Sequence, residues 1–147
     1  MSMERYVFFA GTLPTEAALQ QAAQELGFPL TFLSAEDSLE QQSGFLPATF
    51  DGQDTGFELD TDGDRSEIEE LMPDGVDARL DRSAAFIWGA DLAECAAALC
   101  AAAALAKLMG GVVFDPAEST LHGVDDAVAA ARRELEDIRR ELKQATT

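Results

Sequence analysis

Positive charge is what this chain has least of. Ten Lys and Arg stand against 28 Asp and Glu, a formal net charge of −18 over 147 residues. Such a field repels nucleic acid and anionic lipid, so neither is an expected partner. The main basic cluster, Arg132, Arg133, Arg139, Arg140 and Lys143, is interleaved with Glu134, Glu136, Asp137 and Glu141 and reads as a solvated helix face. Histidine occurs once, as His122 in a Leu-His-Gly turn, where a surface or capping role is expected rather than that of a base. Phosphate-cradling patterns of the GxxxxGK[ST] and GxGxxG kinds are lacking, so no nucleotide cofactor is expected, nor any other.

Cysteine is scarce too. Cys95 and Cys100 lie five apart on one helix, about 140° around its axis, so they cannot face one another. They read as free thiols in a reducing cytoplasm, not as a disulfide or metal pair. The opening MSMERYVFFAGTLP lacks a basic n-region and a long apolar run, so no targeting segment is expected and the location expected is cytoplasmic.

What is present points to one α+β domain over residues 1–147, with 47% hydrophobic content. Its centre is Asp91 to Phe114: Asp91 and Glu94 resemble a capping box, and Gly110-Gly111 supplies a left-handed exit. Between them the helix is apolar on nearly every face, with only Glu94 and Lys107 charged. It must be buried nearly all round, which puts Ala98, Ala101, Ala102 and Leu105 in the core. A membrane span of that length is disfavoured by its alanine content and its two charges.

Around this helix (91–109) the pattern predicts strands at 4–10, 30–33, 44–50, 55–60, 82–88 and 112–114, in a mixed or mostly antiparallel sheet. Thr12 or Thr15 caps a helix to Leu26, with Ala17, Ala18, Leu19, Ala22, Ala23 and Leu26 inward. Asp51-Gly52 between apolar runs signals a hairpin, and Pro47 places its first strand at an edge or bulge. A short acidic helix is expected over 62–72, and an amphipathic C-terminal helix over 124–143 packed on the central one. Its inner stripe is Val124, Val128, Ala131, Leu135, Ile138 and Leu142, with Arg132–Glu136 and Glu136–Arg140 spaced for surface pairs.

The charge is uneven: residues 36–82 hold 15 acids and 3 bases, −12 of the −18. Within it, Asp60, Asp62, Gly63 and Glu69 match a calcium-loop template. Glu58 stands where Asp is needed, Arg65 replaces an apolar residue and a strand precedes instead of a helix, so no metal is expected. Abundant carboxylates identify no acid/base pair by themselves. Asp115, at a strand end, is read as a turn residue before Pro116. Trp88 and Tyr6 are read as core.

The phrases SGFLPATFDGQDTGFEL, the acid-capped Ala-rich helix and GGVVFDP together resemble small acidic bacterial proteins of unassigned function. Among these are immunity proteins encoded beside polymorphic or secreted antibacterial toxins. The resemblance covers residues 44–131. It implies a non-enzymatic inhibitor that neutralises a cognate toxin by binding, often across its active site, and it carries over no catalytic residue. An acidic face over 51–81 would then receive a basic protein partner, led by Asp54, Glu58, Asp60, Asp62, Asp64, Glu67, Glu69 and Glu70. The alternative is a small enzyme or ligand-binding domain, which calls for a deep pocket with converging polar groups between sheet and helices. The inhibitor calls for an exposed acidic surface and no such pocket. A homodimer through the C-terminal helix is a third expectation.

Overall fold

The computed structural model describes residues 3–33, 37–41, 43–73 and 75–145. The elements along them are β1 (Met3–Phe9), α1 (Glu16–Glu25), β2 (Leu30–Phe32), β3 (Ser43–Phe50), β4 (Gln53–Asp64), α2 (Arg65–Leu71), β5 (Arg82–Trp88), α3 (Leu92–Met109), β6 (Val112–Asp115), β7 (Thr120–His122) and α4 (Val124–Ala145). The strands form one sheet in the order β2-β3-β4-β5-β1-β6-β7, antiparallel at every step. This is the α+β architecture expected, and its edge strands are each only three residues long, which limits edge-to-edge pairing.

The local reasons are those of the sequence. Asp91 accepts the Glu94 amide at 3.0 Å to start α3, and Gly110 ends it in the left-handed region at φ 66. Asp51 and Gly52, at φ 52 and 79, make the two-residue turn between β3 and β4. Pro47 sits one residue beyond the last pairing of β3 with β2, where that side of the strand has no paired neighbour among the described residues.

α3 lies across the sheet on one face and is flanked there by α1 and α4. Ala98, Ala101, Ala102 and Leu105 are all fully buried, as the composition requires. The sheet answers alanine with bulk: Phe9, Phe57, Phe86 and Trp88 belong to the same core. Period-2 alternation sends Phe8 to the opposite face, where it stacks on Phe114 at 5.6 Å and packs with Ile68 of α2. That second core is small. α3 has the length and hydropathy of a membrane span, yet 56% of it is buried inside this fold.

Several expectations are corrected. In α1 it is Glu16, not Ala17, that turns inward with Leu19, Ala23 and Leu26, and Thr15 is the cap. β4 runs on to Asp64, so the acidic helix starts at Arg65. β7 is a strand that the sequence pattern does not predict. On α4, Arg132 donates to the Leu26 carbonyl at the end of α1, and Arg140 pairs with Asp137 at 3.3 Å, in place of the two Glu136 pairs. Residues 34–36 and 42, in the polar stretch after β2, Asp74 in the 73–75 turn and the Leu142 side chain lie outside what is described.

Because α3 touches neighbours all round, enlarging an inward alanine should force backbone shifts. Ala101→Leu is expected to cost about 1–3 kcal/mol, read as a lower midpoint in urea unfolding.

Candidate functional sites

Strand register builds the acidic face. Phe45 pairs with Glu58, Glu58 with Ile87 and Ile87 with Glu4, one row across β3, β4, β5 and β1. Paired residues share a face, and this one is opposite α3, because Phe57 and Leu59 point into the helix-side core. The next row joins Asp60, Ala85, Tyr6 and Phe114. α2 packs on β4 and β5 beyond these rows, through Ile68 against Phe8, and leaves the first row open. Phe45 is 56% exposed there, its ring lying over Gly56, where any side chain would strike it. A side chain at 56 would also overlap the Leu46 carbonyl, so glycine is required there by both the ring and the backbone.

The eight acidic residues expected to meet a partner divide. Asp54, Glu58 and Asp60 stand exposed on β4, at alternate positions of the open face. Asp62 is exposed in the irregular stretch where β4 shifts register against β5, and its amide donates to Asp60 at 3.0 Å. Asp64 is occupied in capping α2 through the Glu67 amide at 3.2 Å. Glu69 pairs with Arg65 at 3.3 Å, and Glu70 is exposed. Glu67 is only half-exposed and accepts from the Ser83 hydroxyl at 3.4 Å. Desolvation and the neighbouring Asp60, Asp64 and Glu70 hold its carboxyl above the usual range despite that bond. Gly63 lies beneath this contact, where a side chain would overlap both groups.

The calcium-like segment is thus strand followed by a helix cap, not an ion loop. Arg65, the residue that breaks the template, has a structural role. Its guanidinium donates to the carbonyls of Val76, Asp77 and Leu80 at 2.8–2.9 Å and ties the 76–80 loop to α2. Among the described residues no group of three or more His, Cys, Asp and Glu is placed to hold a metal. Cys95 and Cys100 are free, and burial raises both thiols, Cys95 to about 11.

A second site lies on the helix side, a cleft of about 320 Å³ where α3 and α4 pass over β6 and β7. Its floor is small and apolar, from Leu99, Ala102, Val113 and Ala131. Arg5 reaches it from β1 and pairs with Asp115 at 3.2 Å, its guanidinium 5.7 Å from the Trp88 ring centroid. Asp115 is 5% exposed and also accepts the Ala117 amide at 3.0 Å, so the turn role expected of it is real but incomplete. His122 is a strand residue paired with Val113, half-buried and lining the cleft, not an exposed turn histidine. Arg5 is not among the residues the sequence singles out, although its odd-numbered spacing with Val7 and Phe9 signals the helix face. The chain therefore has both the exposed acidic surface and a cleft with polar groups.

No family model matches this chain, and no curated protein matches it significantly.

Tyr6 reports on the acidic face. Burial first, then Glu4, which accepts its hydroxyl, and the charges of Glu67 and Asp60 push its pKa from 10.0 to about 12. An ultraviolet titration of this single tyrosine should show a midpoint near that value. Glu67→Gln removes a negative charge that opposes the phenolate, so it should move the midpoint down towards 10.0. An unmoved midpoint would place Glu67 away from this face.

Proposed function

We propose that this protein is a non-enzymatic acidic binding module of the immunity or inhibitor kind, whose open sheet face receives a basic protein. The observation that carries the reading is the row Phe45–Glu58–Ile87–Glu4, an exposed aromatic and a half-buried aliphatic alternating with carboxylates on rigid strands. A basic cleft that acts on nucleic acid or a phosphate-bearing cofactor is complementary to such a face. The −18 field steers encounter, and its reach falls to about 10 Å at 0.1 M salt. Phe45, at one end of the row, supplies the apolar anchor that charge alone lacks. Asp54 and Asp60 extend the face, while Asp64 and Glu69 serve α2.

The cleft favours a second reading, a small ligand-binding domain, because polar side chains converge there over an apolar floor.

The first reading is tested with the immobilised chain and a host extract. A basic protein should be retained at low salt and weakened at high salt. Phe45→Ala and Asp60→Lys should each reduce its affinity about tenfold or more, and Glu118→Gln, at the cleft, should not. Retention of nothing at either salt, or retention indifferent to the face variants, ends the proposal.

A further inference from the structure

We infer that the cleft between α3, α4 and the β6–β7 hairpin binds a small zwitterion of the α-amino acid class with an aliphatic side chain. The inference rests on the ligand-binding reading of that cleft and is independent of the acidic face. Three features converge. The first is the Arg5 guanidinium, whose side chain is 20% exposed. Its Nη1 donates to the Glu4 carbonyl at 3.1 Å and contacts Asp115 at 3.2 Å, while Nε and Nη2 make no hydrogen bond among the described residues. Asp115 and the Trp88 ring hold the group in place, so the unused edge offers a preorganised fork for a carboxylate.

The second feature is Glu134, on the α4 wall of the same cleft. Arg5 and Glu134 line this one cleft from different walls, β1 and α4. A carboxylate on Arg5 leaves an attached ammonium inside a cleft that Glu134 also lines. The third is the floor of Leu99, Ala102, Val113 and Ala131, which can take an alkyl group but offers it no polar partner. At about 320 Å³ the space is at the small end of the 300–1,000 Å³ typical of ligand pockets. Charge selects between ligand classes. A bare anion must enter a protein of net −18 and a cleft where Asp115, Glu118, Glu134 and Asp137 outnumber Arg5 and Arg133, whereas a zwitterion is neutral and meets charges of both signs.

The experiment is titration calorimetry on the full chain with L-leucine, 4-methylpentanoate, which lacks the ammonium, and isoamylamine, which lacks the carboxylate. Leucine should bind at one site with Kd on the order of 1 mM or tighter, and each truncated probe should bind about tenfold more weakly. Glu134→Gln, an exposed change, should weaken leucine by a similar factor. Ala130→Met, which fills the cleft without touching a charge, should abolish binding while far-ultraviolet circular dichroism stays native. Glu58→Gln, on the opposite face, should leave binding unchanged. Equal binding of either truncated probe overturns the zwitterion while leaving a ligand site. Absence of heat with leucine overturns the inference and removes the main support for the ligand-binding reading.

Discussion

Everything in this fold is arranged around an 18-residue helix, half of whose residues are alanine. Alanine removes little area from water per residue, so α3 is held only if many neighbours approach it closely at once. The sheet achieves this from below with Phe9, Phe57, Phe86 and Trp88, large rings set against small methyls. α1 and α4 close the flanks, and Arg132 of α4 reaches the last carbonyl of α1 to fasten the layer. Arg139 makes a bidentate contact, both bonds 2.9 Å, with Asp51 in the hairpin turn and so ties α4 to the β3–β4 end of the sheet. The long helices are thus committed to one face, and what remains for the other follows from that.

Among the described residues the other face has α2 and the 76–80 loop to cover it, a short helix held by the fork of Arg65. Most of the charge falls beside this gap. Like charges directly opposite one another across strands are destabilising, and the register avoids them, since Glu58 and Glu4 are separated by Ile87 and Glu58 is flanked by Phe45. Acid and apolar groups alternate in the row as a result. The same repulsion, together with burial, appears in the raised titration of Glu67 and Tyr6, which sit where the face passes under α2.

Local chemistry is legible in the sequence wherever it acts within a few residues. Asp91, Gly110, Asp51-Gly52 and the all-round apolarity of α3 each have a short-range cause, and each stands as expected. The acid-rich segment misleads because composition does not mark where a strand gives way to a helix: β4 continues through Asp60 to Asp64 since Ala85, Ser83 and Arg82 of β5 pair with it. β7 is three half-buried residues that exist only by pairing with β6, and the place of His122 depends on that pairing. Glu16 takes the inward position expected of Ala17, and desolvation raises its carboxyl, with the charge of Asp37 adding to the shift. The Arg5–Asp115 pair joins strands 110 residues apart in the chain, and nothing in either neighbourhood announces it.

β1 links the two candidate sites by the simplest rule of a strand. Glu4 and Arg5 are consecutive, so their side chains leave opposite faces of the sheet. One enters the open acidic row and accepts the Tyr6 hydroxyl, and the other enters the cleft and pairs with Asp115. The Glu4 carbonyl also accepts from Arg5, so the two sites share a peptide unit while facing different solvent. A protein docked on Phe45 and Glu58 therefore need not displace a small molecule held between α3 and α4. Occupation of the cleft would engage Arg5 without moving the row, because β1 is paired on both edges, by β5 and β6, and cannot rotate to favour one face over the other.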